Sequence, residues 1–94
     1  MKLWTTSELA LEVPTWTFTS NALEKTFEFS DFKKAFCFMT EIAFHAEVHD
    51  HHPEWTNCYQ RVHIKLSTHT HSGVTEKDVA LAKIIDRVAG QELQ

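Results

Sequence analysis

From Thr15 to Phe29 polar and apolar residues alternate. Trp16 and Phe18 stand between threonines, and after Ser20-Asn21 the residues Leu23, Lys25, Phe27 and Phe29 alternate with Glu24, Thr26 and Glu28. A period of two marks half-buried strands, so the pattern predicts a hairpin of Thr15–Thr19 with Leu23–Phe29. A second pair follows at Trp55–Tyr59 and Val62–Thr68. In the latter, Val62, Ile64, Leu66 and Thr68 alternate with His63, Lys65, Ser67 and His69. His69 is thereby expected on the polar face, at the end of the last strand.

Between the two strand pairs the period changes to that of a helix. Ser30 is the expected N-cap, and Asp31 carries negative charge into the first turn of a helix running to about Val48. Phe32, Ala35, Phe36, Met39, Ile42, Ala43 and Ala46 are expected to form its buried stripe. Cys37, Phe44 and Val48 fall on nearly the opposite side, which predicts a second covered face and a homo-oligomer. A shorter helix over Thr5–Val13, capped by Thr5, Thr6 or Ser7, is ended by Pro14. Pro53 stops any continuation of the long helix and biases His52 toward extended backbone. Past the break at Ser72-Gly73, Thr75 caps a last helix with Asp78 three residues on. Val79, Ala82, Ile85 and Ala89 line that helix, and Gly90 ends it. The order is α-β-β-α-β-β-α. The expected fold is α+β, a four-stranded antiparallel sheet with three helices on one face, formed by residues 1–94 as a single domain.

Composition narrows the function classes. The 94 residues hold 9 basic and 13 acidic side chains, a net charge of −4, with no basic cluster larger than Lys33-Lys34. Nucleic-acid binding is not expected of such a surface. No segment has the length or apolarity of a signal peptide or a membrane span, so a cytoplasmic protein with no membrane partner is expected. Cys37 and Cys58 lack metal-site spacing and are read as reduced thiols. Two glycines are too few for a phosphate-binding loop.

All seven histidines lie between His45 and His71. His45 and His49 could share one helix face, but no third ligand at standard zinc spacing accompanies them, and no metal site is assigned. Ser67 lies near His69 without a nucleophile elbow, and Cys58 sits inside a predicted strand. Proton transfer suits the residue types best. Asp50-His51-His52-Pro53 places two imidazoles at a rigid break, and His69 ends a strand able to return there. Imidazole can both donate and accept a proton near neutral pH.

The segments DHHPEW and VHIKLSTH resemble the pterin-4a-carbinolamine dehydratase family. The family's pattern falls here on Glu47, His51-His52-Pro53, Tyr59, His69 and Asp78, and FEFSDFKKAFCFMTEIAFHAE is similar to its Phe-rich strand end and long helix. The likeness runs from about Leu9 to Ala89. It implies dehydration of a 4a-hydroxytetrahydropterin to the quinonoid dihydropterin, serving an aromatic amino acid hydroxylase in tetrahydrobiopterin recycling. By the same resemblance His51, His52 and His69 are the catalytic residues: His51 and His69 act as acids near the 4a hydroxyl, and His52 orients the pterin. Glu47, Asp50, Ser67, Thr68 and Asp78 line the substrate site, and neither metal nor cofactor is implied. His45, His49, His63 and His71 fall outside the pattern and are expected at the surface. The resemblance further implies a homodimer or homotetramer through the long helix. Animal members also serve as dimerisation cofactors for a homeodomain transcription factor, so a protein-interaction role is the alternative.

Overall fold

The computed structural model describes residues 1–92, arranged as α1 (Thr6–Glu12), β1 (Thr17–Thr19), β2 (Ala22–Glu28), α2 (Phe32–His49), β3 (Glu54–Cys58), β4 (Arg61–Leu66) and α3 (Glu76–Glu92), with a 3-10 turn over His69–His71. The strands form one antiparallel sheet in the order β1-β2-β4-β3. This is the predicted α+β order.

Alternation decides which face of the sheet is covered. Val62, Ile64 and Leu66 of β4 and Leu23 and Phe27 of β2 lie against the helices, all buried. Glu24, Thr26, His63 and Lys65 point the other way, onto an open polar face. Lys25 shares the covered face with Leu23 and Phe27. Its ammonium reaches Asp86 Oδ1 and Thr15 Oγ1, each at 2.7 Å, and lies 4.9 Å from the Phe27 ring centroid. Trp16 Nε1 donates to the other oxygen of Asp86 at 3.0 Å, which ties the sheet edge to α3.

Helix α2 begins one residue later than expected. Asp31, not Ser30, is the N-cap, and its carboxylate accepts the Lys34 N–H at 2.8 Å. The buried stripe is also rotated from the one expected. It consists of Ala35, Phe38, Ile42 and Ala46, with Met39 half-buried. Phe38 fits because its ring packs 5.2 Å from Phe27 and 4.8 Å from Phe29, between strand and helix. That rotation turns Phe32, Phe36 and Ala43 outward with Cys37, Phe44 and Val48. The outward apolar face is thus broader than the sequence pattern suggested: Phe44 is 69% and Val48 80% exposed.

Helix α1 is held by a capping box, in which the Thr5 hydroxyl accepts the Glu8 N–H and the Glu8 carboxylate accepts the Thr5 N–H. Leu9 and Val13 then reach the core. Strand β4 ends at Leu66, two residues short of the expected end, because Thr68 leaves the ladder to bridge Gly73. Cys37 and Cys58 are both exposed free thiols. Among the described residues no helix is long and apolar enough to cross a membrane.

Candidate active site

The C-terminal turn of α2 sets two of the three candidate histidines. Asp50 closes the helix in the left-handed conformation (φ 49°), its N–H reaching the carbonyls of Ala46 and Glu47. His51 N–H also returns to Ala46 O at 3.0 Å. This double closure is the usual way to stop a helix sharply, and aspartate tolerates the left-handed region better than most residues. The turn sends the two imidazoles in different directions. His51 goes inward and is buried; His52 folds back along the helix, and its Nε2 meets Glu47 Oε2 at 2.5 Å in the open.

Inside, His51 Nε2 lies 2.5 Å from Asp78 Oδ1. Asp78 is 0% exposed, and the rest of its carboxylate is also occupied. Oδ2 accepts the Thr68 hydroxyl at 2.8 Å and the Thr75 N–H at 2.9 Å. The Thr75 hydroxyl in turn donates to Thr68 Oγ1 at 2.8 Å and accepts the Lys77 N–H at 3.3 Å. A buried carboxylate is tolerated when its lone pairs are filled in this way, and the first turn of a helix is a favourable place for it. With the Nε2–H given to Asp78, Nδ1 of neutral His51 is the basic nitrogen. Asp78 is therefore not on the wall of the cleft, as the resemblance implied, but beneath it.

The loop after β4 supplies the third histidine. Thr68 N–H donates to Gly73 O at 2.8 Å, and the pair closes a loop whose 3-10 turn carries His69. His69 is exposed and stands on this turn, not at a strand end. A cleft of about 360 Å³ opens between this loop and the end of α2. Asp50, His51, His52, Ser67, Thr68 and His69 line it. Glu47 reaches it only through His52, and Asp78 through His51 and Thr68.

Two further residues line the cleft that sequence reasoning did not select, Thr70 and Lys77. Lys77 was legible in principle, since it precedes Asp78 in the first turn of α3. Of the histidines set aside, His45 lies 3.7 Å from Glu41, and His71 Nδ1 is 3.0 Å from the Thr70 hydroxyl. His63 stands on the open sheet face between Thr26 Oγ1 (2.7 Å) and Glu24 Oε1 (2.9 Å). Tyr59, an element of the family pattern, sits in the β3–β4 turn at φ 60° and 70% exposed, and takes no part in the cleft. Among the described residues no three His, Cys, Asp or Glu side chains cluster as a metal site.

The sequence profile of the family described as Pterin 4 alpha carbinolamine dehydratase matches residues 3–88. The chain belongs to that family. It is 53% identical over 79 residues to a Rhodospirillum rubrum protein named "Putative pterin-4-alpha-carbinolamine dehydratase", covering 82% of each chain. A Burkholderia vietnamiensis protein of the same name is 46% identical over 83 residues, 86% of this chain and 81% of that one. Among solved structures, a transcriptional coactivator/pterin dehydratase from Brucella melitensis superposes with a TM-score of 0.89 at 39% identity, over 95% of this chain and 100% of the other. A pterin dehydratase-like RuBisCO assembly factor of the alpha-carboxysome shares the fold, with a TM-score of 0.71 at 24% identity over 84% of this chain and 94% of that one.

Proposed function

We propose that the chain is a 4a-hydroxytetrahydropterin dehydratase that works by histidine acid–base chemistry. The observation that carries this reading is the buried His51–Asp78 pair beneath a cleft that His52 and His69 also line. Elimination requires a proton for the 4a hydroxyl, which leaves as water, and removal of the N5 proton as the C4a–N5 double bond forms. Two imidazoles serve these ends, one delivering and one accepting, and such help is typically worth ~10² to 10⁴ in rate. His51 and His69 carry the proton transfers. His52, steadied by Glu47, orients the ring, while Asp50, Ser67 and Thr68 offer polar contacts to the pterin edge. Asp78 acts through His51 as a positioning residue.

The physiological setting that fits this reaction is the recycling of tetrahydrobiopterin after an aromatic amino acid hydroxylase. Assembly as a homodimer or homotetramer through the outward face of α2 fits its exposed Phe32, Phe36, Phe44 and Val48. The same face supports the second reading, a dimerisation cofactor or protein-interaction module. The two readings separate in one experiment: a freshly generated 4a-hydroxytetrahydropterin is followed by ultraviolet absorbance with and without the purified protein, chelator present. Acceleration above the spontaneous rate supports the dehydratase; none moves the weight to the interaction module.

A further inference from the structure

The loop that carries His69 is held from two sides. From within, the Thr68 hydroxyl and the Thr75 N–H are both fixed on Asp78. From outside, residues near the N-terminus lie across its base. Trp4 N–H donates to Val74 O at 2.8 Å, next to the Thr68–Gly73 bridge that closes the loop. Leu3 covers Gly73 so closely that a Cβ there would lie 2.9 Å from Leu3 Cδ2. Gly73 does not have a positive φ, so the missing side chain answers to that contact and not to a strained turn.

This outer segment is itself anchored. The Trp4 ring packs on the hydrophobic core, and Thr5 is fixed as the N-cap of α1. The Lys2 ammonium lies 5.4 Å from the centroid of the Trp4 ring and pairs with Glu8. The backbone bonds inside the His69 turn are short-range by comparison: His71 N–H to Thr68 O at 2.9 Å, and Ser72 N–H to His69 O at 3.2 Å. They shape the turn without tying it to another element.

We infer that Leu3 and Trp4 are positioning residues for His69, with the segment Lys2–Thr5 strapping the base of its loop to the fold. The inference rests on the dehydratase reading. Neither residue lines the cleft, so each acts through Gly73 and Val74, and through the bridge to Thr68, the residue before His69. A proton donor works only within hydrogen-bond reach, and a misplacement of ~1 Å can cost as much as 10² in rate. Asp50 and His52 approach the cleft from the end of α2, which the strap does not touch. Loosening the strap therefore acts on kcat and leaves KM nearly as it was.

Hydrogen exchange at the Thr68 amide and steady-state dehydration of a 4a-hydroxytetrahydropterin test this in wild type, Leu3→Ala, Leu3→Met, Gly73→Ala and the Leu3→Ala/Gly73→Ala double variant. Leu3 is exposed, so its truncation spares the core. In Leu3→Ala, and in Gly73→Ala, whose Cβ evicts the Leu3 side chain, Thr68 should exchange about tenfold faster and kcat should fall about tenfold, with KM within about twofold. The double variant should be no worse than either single one, because both changes remove the same contact. Leu3→Met, which keeps the volume, should retain wild-type values of both. Unchanged Thr68 exchange, or faster exchange with unchanged kcat, overturns the positioning role and leaves the dehydratase standing. Losses that multiply in the double variant overturn it as well. A wild type that does not accelerate the reaction overturns the dehydratase; the strap then stands if Thr68 exchanges faster in both single variants, and falls with it if exchange is unchanged.

Discussion

His51 Nε2 and Asp78 Oδ1 meet at 2.5 Å across 27 residues of sequence, one from the turn that ends α2 and the other from the first turn of α3. The pair joins the last turn of one helix to the first turn of the next. It also fixes which nitrogen of His51 carries the proton in the neutral ring. Asp78→Asn keeps the shape but replaces one carboxylate oxygen by an NH2 that cannot accept. Turnover is expected to fall by roughly 10² or more, the scale of general acid–base help. The midpoint of thermal unfolding should move by only a few degrees. Asp78→Ala, which strands the Thr68 hydroxyl and the Thr75 N–H, should in addition cost about 1–3 kcal/mol per unsatisfied group in denaturant titrations. A full-rate Asp78→Asn enzyme would remove Asp78 from the account.

Glu47 and His52 form the opposite kind of pair. Their side chains are 77% and 55% exposed, so the contact should stabilise the fold by ~1 kcal/mol at most. Glu47→Gln is therefore expected to leave unfolding unchanged and raise KM several-fold, through a looser His52. A stability loss without a KM effect would make the pair purely structural.

Asp50 separates backbone from side-chain roles. At φ 49° its backbone suits glycine, whereas a Cβ without a polar side chain is disfavoured. Asp50→Gly should melt at or near the wild-type temperature, and Asp50→Ala should lose about 1 kcal/mol. If Asp50 also contacts the pterin, both variants lose substrate affinity to the same degree despite their different stabilities.

The outward face of α2 predicts assembly. Phe44→Glu is expected to convert the oligomer to monomer in size-exclusion chromatography with light scattering, with the far-ultraviolet circular dichroism unchanged. A wild-type monomer at micromolar concentration would contradict the assignment of this face.

The capping box of α1 should outlast acid. A hydrogen bond from the Lys2 ammonium, then the Thr5 N–H, holds the Glu8 carboxyl down from the ordinary 4.5 to about 2. A depressed carboxyl contributes stability that is fully present above its unfolded value of 4.5. That contribution shrinks progressively as pH falls below 4.5 and is gone below about 2, where the folded carboxyl itself protonates. A carbon-detected NMR titration of Glu8 should therefore show its midpoint near 2, and a midpoint near 4.5 would mean the cap is open in solution.

Much of this was legible in the sequence because strands and helices announce themselves by period. The alternation of Val62, Ile64 and Leu66 placed the body of β4, and the histidine window marked the end of the fold where the cleft opens. What the period could not fix was phase. Phe38 goes inside α2 because Phe27 and Phe29 arrive opposite it from another element. No count along the helix contains that information. Asp78 illustrates the same limit at the site: its position at the start of α3 was readable, but its burial beneath His51 depends on Thr68 and Thr75 converging from either side of a loop. Thr70 lines the cleft from the 3-10 turn that follows Thr68, and such a turn leaves no short motif.

The central claim is that His51 and His69 move the protons. Single-turnover dehydration of a 4a-hydroxytetrahydropterin tests it most directly, in wild type, His51→Ala, His69→Ala and the double variant, with folding checked by circular dichroism. The account predicts acceleration by the wild type, a loss of roughly 10² in each single variant, and a return to the spontaneous rate in the double variant. A double variant that retains wild-type acceleration would contradict it.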